Sequence, residues 1–227
     1  MNDAPMFAPD SPTTLAEATR CFFRHPSPRF LAVTLGVALT ARLLSGGWSI
    51  WDGAVVAAIV AFWPIQEWLI HVFLLHFEPK EVLGRTLDFE VPRSHRIHHR
   101  DPWNIEILFI PLQGYLIGLP PLLLLAFGLM PTVELAWTVV VVFLALTLRY
   151  EWWHFLVHTR VRPRSAQHRR LWRNHRLHHC KSERYWYGVS MLMGDRLLGT
   201  SPSPADVETS PTCRTLGIDD TLGDRAG

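Results

Sequence analysis

The chain has 227 residues, enough for one domain of ordinary size. Its net charge of +2 is too small to argue for nucleic acid, and no nucleic-acid partner is expected. Hydrophobic residues make up 48% and mean hydropathy is +0.11, although both tails are polar. Three cysteines, Cys21, Cys180 and Cys213, contain no CxxC pair, so neither a disulfide framework nor a thiolate zinc site follows from them.

Residues 1–28 form a polar N-terminal segment rich in Pro, Ser and Thr. It has no early apolar run, so no cleavable signal peptide is expected. The stretch from Ser11 to Glu17 predicts the start of a short helix capped by a hydroxyl side chain. Phe22 and Phe23 beside Arg20 and Arg24 predict a segment lying at a membrane surface.

Four apolar stretches follow, at about 30–44, 53–77, 105–130 and 133–157. A spanning helix needs roughly 20 mostly apolar residues. The second and fourth meet this, the third does so with a kink at Pro120-Pro121, and the first must borrow its flanks. Ten tryptophans suit side chains placed at membrane interfaces.

Loop charge sets the expected orientation. No Lys or Arg occurs from Ser45 to Ile65 or around Met130-Pro131-Thr132. Segment 78–104 carries Lys80, Arg85, Arg93, Arg96 and Arg100, whereas 159–190 carries nine basic residues and the N-terminal flank has Arg20, Arg24 and Arg29. Alternating basic loops are what the positive-inside rule requires of four spans with both ends cytoplasmic. Four buried helices of a soluble bundle would not produce this alternation. The expected fold is an all-α membrane protein with about four transmembrane helices and a cytoplasmic helical cap. The membrane domain is expected over 29–200, and 201–227, rich in Pro, Ser, Thr, Gly and Asp, is expected to be a disordered tail.

Histidine is the outlier: ten of the twelve fall in four groups. These are His71-x4-His76, His95-x2-His98-His99, His154-x3-His158 and His175-x2-His178-His179. His25 and His168 stand apart and read as ordinary polar side chains near an interface. Residues three or four apart share a helix face, so three of the groups each project together. His71 and His76 are about 140° apart on an ideal helix and converge only where that helix ends or distorts. Glu78-Pro79 makes a helix end there plausible.

The pairs lie at the cytoplasmic ends of spans two and four, and the HxxHH groups lie in the two basic segments. All ten therefore meet at one membrane face. One ion seldom takes more than six ligands, so ten imidazoles imply two ions; imidazole itself suits zinc, copper, iron or nickel. Carboxylates often orient such rings by accepting the other N–H. Glu67, Asp88, Glu151 and Asp195 are the candidates.

The order of these boxes resembles the fatty acid hydroxylase/sterol desaturase superfamily, over roughly 60–200. The resemblance extends to Glu67-Trp-Leu-Ile-His71, to His95-Arg-Ile-His-His-Arg-Asp-Pro102 and to Tyr150-Glu151-x2-His154, where lipid 2-hydroxylases commonly have Asp as the acid. It also covers Asn174 to His179, Tyr187-Gly-Val-Ser190 and Gly194-Asp195-x3-Gly199-Thr200.

The resemblance implies a non-haem centre of two iron ions held by the ten histidines, with zinc as a substitute in purified protein. It implies O2 as co-substrate and hydroxylation of a C–H bond of a membrane lipid, most simply a fatty acyl chain. Carotenoid or sterol hydroxylation, or desaturation, is the alternative within the superfamily. Electrons are expected from a separate donor, a cytochrome b5-like protein, ferredoxin or reductase. The expected location is the inner membrane of a bacterium or the endoplasmic reticulum of a eukaryote. A metal transporter is the rival of another class, but its ligands belong near the bilayer midplane. A zinc protease is weaker still, because no HExxH is present.

Overall fold

A computed structural model describes residues 7–8 and 10–218. The expectation for 219–227 lies outside the described residues. Eight helices and one short hairpin make up the described chain, together with two 3-10 turns and a π turn. Helix α1 is Leu15–Phe22, α2 is Pro26–Ser45, and α3 is Ile50–Leu69 continued by a π turn over Ile70–Leu75. Strands β1 (Lys80–Val82) and β2 (Arg85–Leu87) pair antiparallel. Then come α4 (Glu90–Arg100), α5 (Leu112–Leu129), α6 (Val133–Val157), α7 (Ala166–Cys180) and α8 (Met193–Leu197).

Helices α2, α3 with its π turn, α5 and α6 are long and apolar enough to cross a membrane. They bury little of their own surface: Val37, Leu44, Ile117, Leu124 and Leu129 are exposed, as lipid-facing residues must be. The protein is an integral membrane protein of four spans. Helix α6 is the central one and packs against α2, α3 and α5. Helix α5 runs through Pro120 and Pro121, where the sequence predicts a kink within one span. Proline is tolerated in a membrane helix because neighbouring groups satisfy the freed carbonyls.

At the end of the spans remote from the histidines, buried Arg42 meets Asp52 at 2.7 Å. Thr138 donates to Asp52 at 2.6 Å and accepts from Arg42 Nε at 2.7 Å, tying α2, α3 and α6 together. Each charge in this cluster is partnered, as a buried ion must be.

One expectation about the termini needs correction. Thr14 caps α1 through a capping box with Glu17, as the sequence suggested. Phe22 turns inward from this segment. It is buried against Phe109, Trp152 and Phe155, while Phe23 remains exposed. Residues 201–218 are not a free tail. Ser210 N donates to the Lys181 carbonyl at 2.7 Å, Thr212 Oγ1 donates to Glu183 at 2.6 Å, and Cys213 is buried. The segment has no periodic apolar pattern, so its order comes from these polar contacts with the cap.

Candidate metal centre

The ten clustered histidines converge at one end of the four spans and divide into two groups of five. His71, His76, His95, His99 and His178 form one; His98, His154, His158, His175 and His179 form the other. In each, one ring nitrogen per residue lies within 4.8 Å of all the others. Nine of the ten are buried, His76 being half-buried. The groups adjoin: the rings of His99 and His179, one from each, are 4.1 Å apart. His25, stacked on Phe109, and His168, packed against Trp153, belong to neither.

Helix geometry explains the partition. His95 and His99 are four apart and turn to the same group; His98 precedes His99 by about 100° and turns to the other. In α7, His175 and His179 go together and His178 goes opposite. Each HxxHH box thus straddles both groups, which the sequence reading, placing all three on one face, did not distinguish. The i, i+5 pair is brought together by the π turn, in which His76 N donates to the His71 carbonyl at 3.1 Å. A π turn adds the one residue by which this spacing exceeds an α-helical turn.

Three of the rings are held by backbone carbonyls. His71 Nδ1 donates to Tyr187 O at 2.6 Å, His178 Nδ1 to Tyr185 O at 2.8 Å and His99 Nδ1 to Cys213 O at 3.0 Å. A carbonyl only accepts, so each of these rings keeps its proton on Nδ1 and presents the lone pair of Nε2. Those Nε2 atoms, with those of His76 and His95, are buried without a hydrogen-bond partner. In the second group Nε2 atoms face one another: His98 and His154 at 3.2 Å, His158 and His175 at 2.8 Å, His175 and His179 at 3.0 Å.

Lone pairs gathered this closely need a cation between them, and ligands about 2.0–2.1 Å from one ion lie within roughly 4.2 Å of each other. Burial, reinforced by neighbouring rings, holds His76, His95, His98, His99, His158, His175 and His179 well below the usual imidazole range. Burial brings His178 down to about 4. The rings are therefore neutral near pH 7, the protonation state that ligates metal. The two groups are consistent with a di-metal site.

The four candidate carboxylates do not touch the rings as expected. Asp195 accepts from Tyr187 N at 2.9 Å, Gly188 N at 2.7 Å and Thr200 Oγ1 at 2.7 Å. Glu67 accepts from the backbone of Val189 and Ser190 and from Ser190 Oγ. Both clamp the loop whose Tyr187 carbonyl holds His71, so they act one step further out. Glu151 accepts from Tyr115 OH and Ile110 N, and Asp88 pairs with Arg93 and Arg96. For His71, His178 and His99 a backbone carbonyl of this loop or of the C-terminal segment already takes the ring N–H that a carboxylate would otherwise accept.

This loop packs closely. A Cβ on Gly194 would lie 2.2 Å from Pro64 O, and one on Gly188 would lie 2.3 Å from Met191 O. Glycine at 194 lets this region dock against α3, and glycine at 188 lets the loop turn back on Met191 and Asp195.

A small cleft beside His95, His98 and His154 shares Leu75, Val91, Ile110 and Tyr150 with a larger cavity of about 230 Å³. That cavity lies among α2, α3, α5 and α6 and is almost wholly apolar. Tyr115, Gly118, Leu119, Leu122, Phe143 and Leu144 line its far part.

Residues 55–200 match the fatty acid hydroxylase family. The chain is 27% identical over 150 residues to the dihydroceramide fatty acyl 2-hydroxylase FAH2 of Arabidopsis thaliana. That alignment covers 66% of this chain and 61% of the relative, so it spans less than two thirds of the relative's length. In three dimensions the chain is similar to the hydroxylase domain visible in full-length Scs7p, with a TM-score of 0.63 at 22% identity. The match covers 89% of this chain and 71% of the other and shows a shared fold.

Proposed function

The chain belongs to the fatty acid hydroxylase family, a family of oxidoreductases, and we propose that it inserts one oxygen atom of O2 into a C–H bond of a lipid acyl chain. The observation that carries this reading is that an apolar cavity within the spans adjoins the cleft beside His95, His98 and His154, sharing Leu75, Val91, Ile110 and Tyr150 with it. An acyl tail buried in that cavity gains about 0.8 kcal/mol per methylene. The chain end that emerges at Tyr150 then lies against both histidine groups. Because the relative in Arabidopsis thaliana is named a fatty acyl 2-hydroxylase, the carbon next to the acyl carbonyl is the position we assign.

The ten histidines are proposed as ligands of two iron ions, which zinc would replace in purified protein. When bound, the iron would supply activation of O2 and removal of the acyl hydrogen. The chain's own residues do the rest. Tyr187, Tyr185 and Cys213 carbonyls fix the tautomers of His71, His178 and His99, Glu67 and Asp195 hold the loop that carries two of these carbonyls, and Leu75 and Phe109 line the cleft with apolar surface. The basic loops around the metal site favour a cytoplasmic side for it and for both termini. A separate protein supplies electrons.

Mass spectrometry of lipids from expressing cells grown under 18O2 tests the reading. A hydroxylated acyl chain carrying one 18O atom is expected, and it is lost in a His98→Ala and His178→Ala double variant. A product lighter by two hydrogens and free of 18O would replace hydroxylation with desaturation. Wild-type cells with no altered lipid would overturn the reading.

A further inference from the structure

Helix α7 has two unlike faces. Its inner face supplies His175, His178 and His179 to the two histidine groups. Arg173 stands roughly 140–160° around the helix from His175 and His178, and Arg169, Arg170 and Arg173 are all exposed. The spans bring His71 and His154 to the histidine groups, and the arginine face lies on the side of α7 opposite the one that meets them. Just before α7, Arg160, Arg162 and Arg164 line a broad depression of about 690 Å³. No Asp or Glu occurs from Trp152 to Ser182. Glu17, beside the opposite rim, is engaged by Thr13 and Thr14.

Beneath this face a stack of rings leads inward. Half-exposed Trp172 lies 3.6 Å from the Arg176 guanidinium, and that group lies 4.7 Å from the Trp103 ring. Trp103 in turn is 5.6 Å from the ring of His158, a member of the second histidine group. The stack also packs Phe7, at 4.9 Å from Trp103. Holding Phe7 does not require that the stack start under an arginine face and finish on a histidine of the cluster.

We propose that the arginine face of α7 docks an acidic one-electron carrier protein, and that electrons reach the histidine site through Trp172 and Trp103 at His158. The proposal rests on the oxygenase reading above. In that reaction one atom of O2 enters the C–H bond and the other leaves as water. The balance takes two protons from solvent and two electrons, each leaving one reduced carrier oxidised. Charge complementarity suits an acidic protein, and this face, opposite the side of α7 that meets the histidines of the spans, favours that partner over an anionic lipid surface.

The full chain, zinc-loaded and in nanodiscs of zwitterionic lipid, is titrated calorimetrically with a soluble cytochrome b5 haem domain and with an acidic [2Fe–2S] ferredoxin. Binding of one of them is expected to weaken with salt, and to weaken about tenfold or more in Arg169→Glu/Arg170→Glu/Arg173→Glu at unchanged metal content. With iron-loaded protein, Trp103→Leu is expected to slow stopped-flow reduction by that carrier about tenfold or more, Trp103→Phe to restore it, and dithionite to reduce all three alike. Absence of binding by either carrier, unchanged affinity of the triple variant, or equal slowing with dithionite would overturn the proposal. So would an effect of charge reversal confined to nanodiscs of anionic lipid, which would assign the face to the membrane. Docking is read without any lipid product. Intact docking without hydroxylated lipid therefore counts against the oxygenase reading alone.

Discussion

Asp195 is fully buried and makes no contact with the histidines, yet its loss should release metal. Its carboxylate accepts three hydrogen bonds, from Tyr187 N, Gly188 N and Thr200 Oγ1. Asp195→Ala removes the acceptor of all three donors. At about 1–3 kcal/mol per orphaned group, the cost is at least ~3 kcal/mol. That is a large share of the ~5–15 kcal/mol by which proteins of this size are stable. At roughly 2–4 °C per kcal/mol, the melting temperature should fall by about 6 °C or more.

The loss should also be directional. Tyr187 O orients His71 at 2.6 Å, so the group containing His71 should lose its ion before the group containing His158. Asp195→Asn keeps one acceptor oxygen and should fall between wild type and Asp195→Ala. Circular dichroism in detergent, paired with elemental analysis of the purified variants, reads both effects. An Asp195→Ala variant with unchanged melting temperature and two ions per chain would refute the reasoning.

Four further outcomes are expected. His178→Ala and His175→Ala, three residues apart on α7, should each remove a different ion, because these rings belong to different groups; X-ray absorption at the remaining metal distinguishes them. Protein stripped of metal should lose stability on acidification, since buried neutral rings have pKa values below their unfolded ones. For His178 the contribution is complete above about pH 6.5 and is lost as pH falls toward 4, a loss of about 3 kcal/mol for that ring, read by thermal melts across this window. Gly118→Leu places a side chain where nothing lies within 4 Å and where the apolar cavity is lined. It should leave stability unchanged or raised by up to ~1 kcal/mol while shortening the acyl chains accepted, as chain-length profiling of the product would show. Ending the chain after Val207 removes the Cys213 carbonyl from His99 and should lower metal content about tenfold, in the range seen when such ring-orienting partners are lost; elemental analysis of the truncated protein decides it.

The spans and the ten histidines were legible in the sequence because their signals are local. Twenty apolar residues, alternate basic loops and i, i+4 spacing each act through helix geometry and solvation alone. The i, i+5 spacing of His71 and His76 even announced a distortion, though not that it would be a π turn. What the tertiary structure decided depends on contacts far apart in the chain. Which histidine of each HxxHH box joins which group is set by how α4 and α7 sit against the ends of α3 and α6. The ring orientations come from carbonyls 114 and 116 residues away for His99 and His71, and backbone groups carry no sequence signature. For the same reason the C-terminal segment read as a tail: its order rests on Ser210, Thr212 and the Cys213 carbonyl meeting a surface that exists only once the cap has formed.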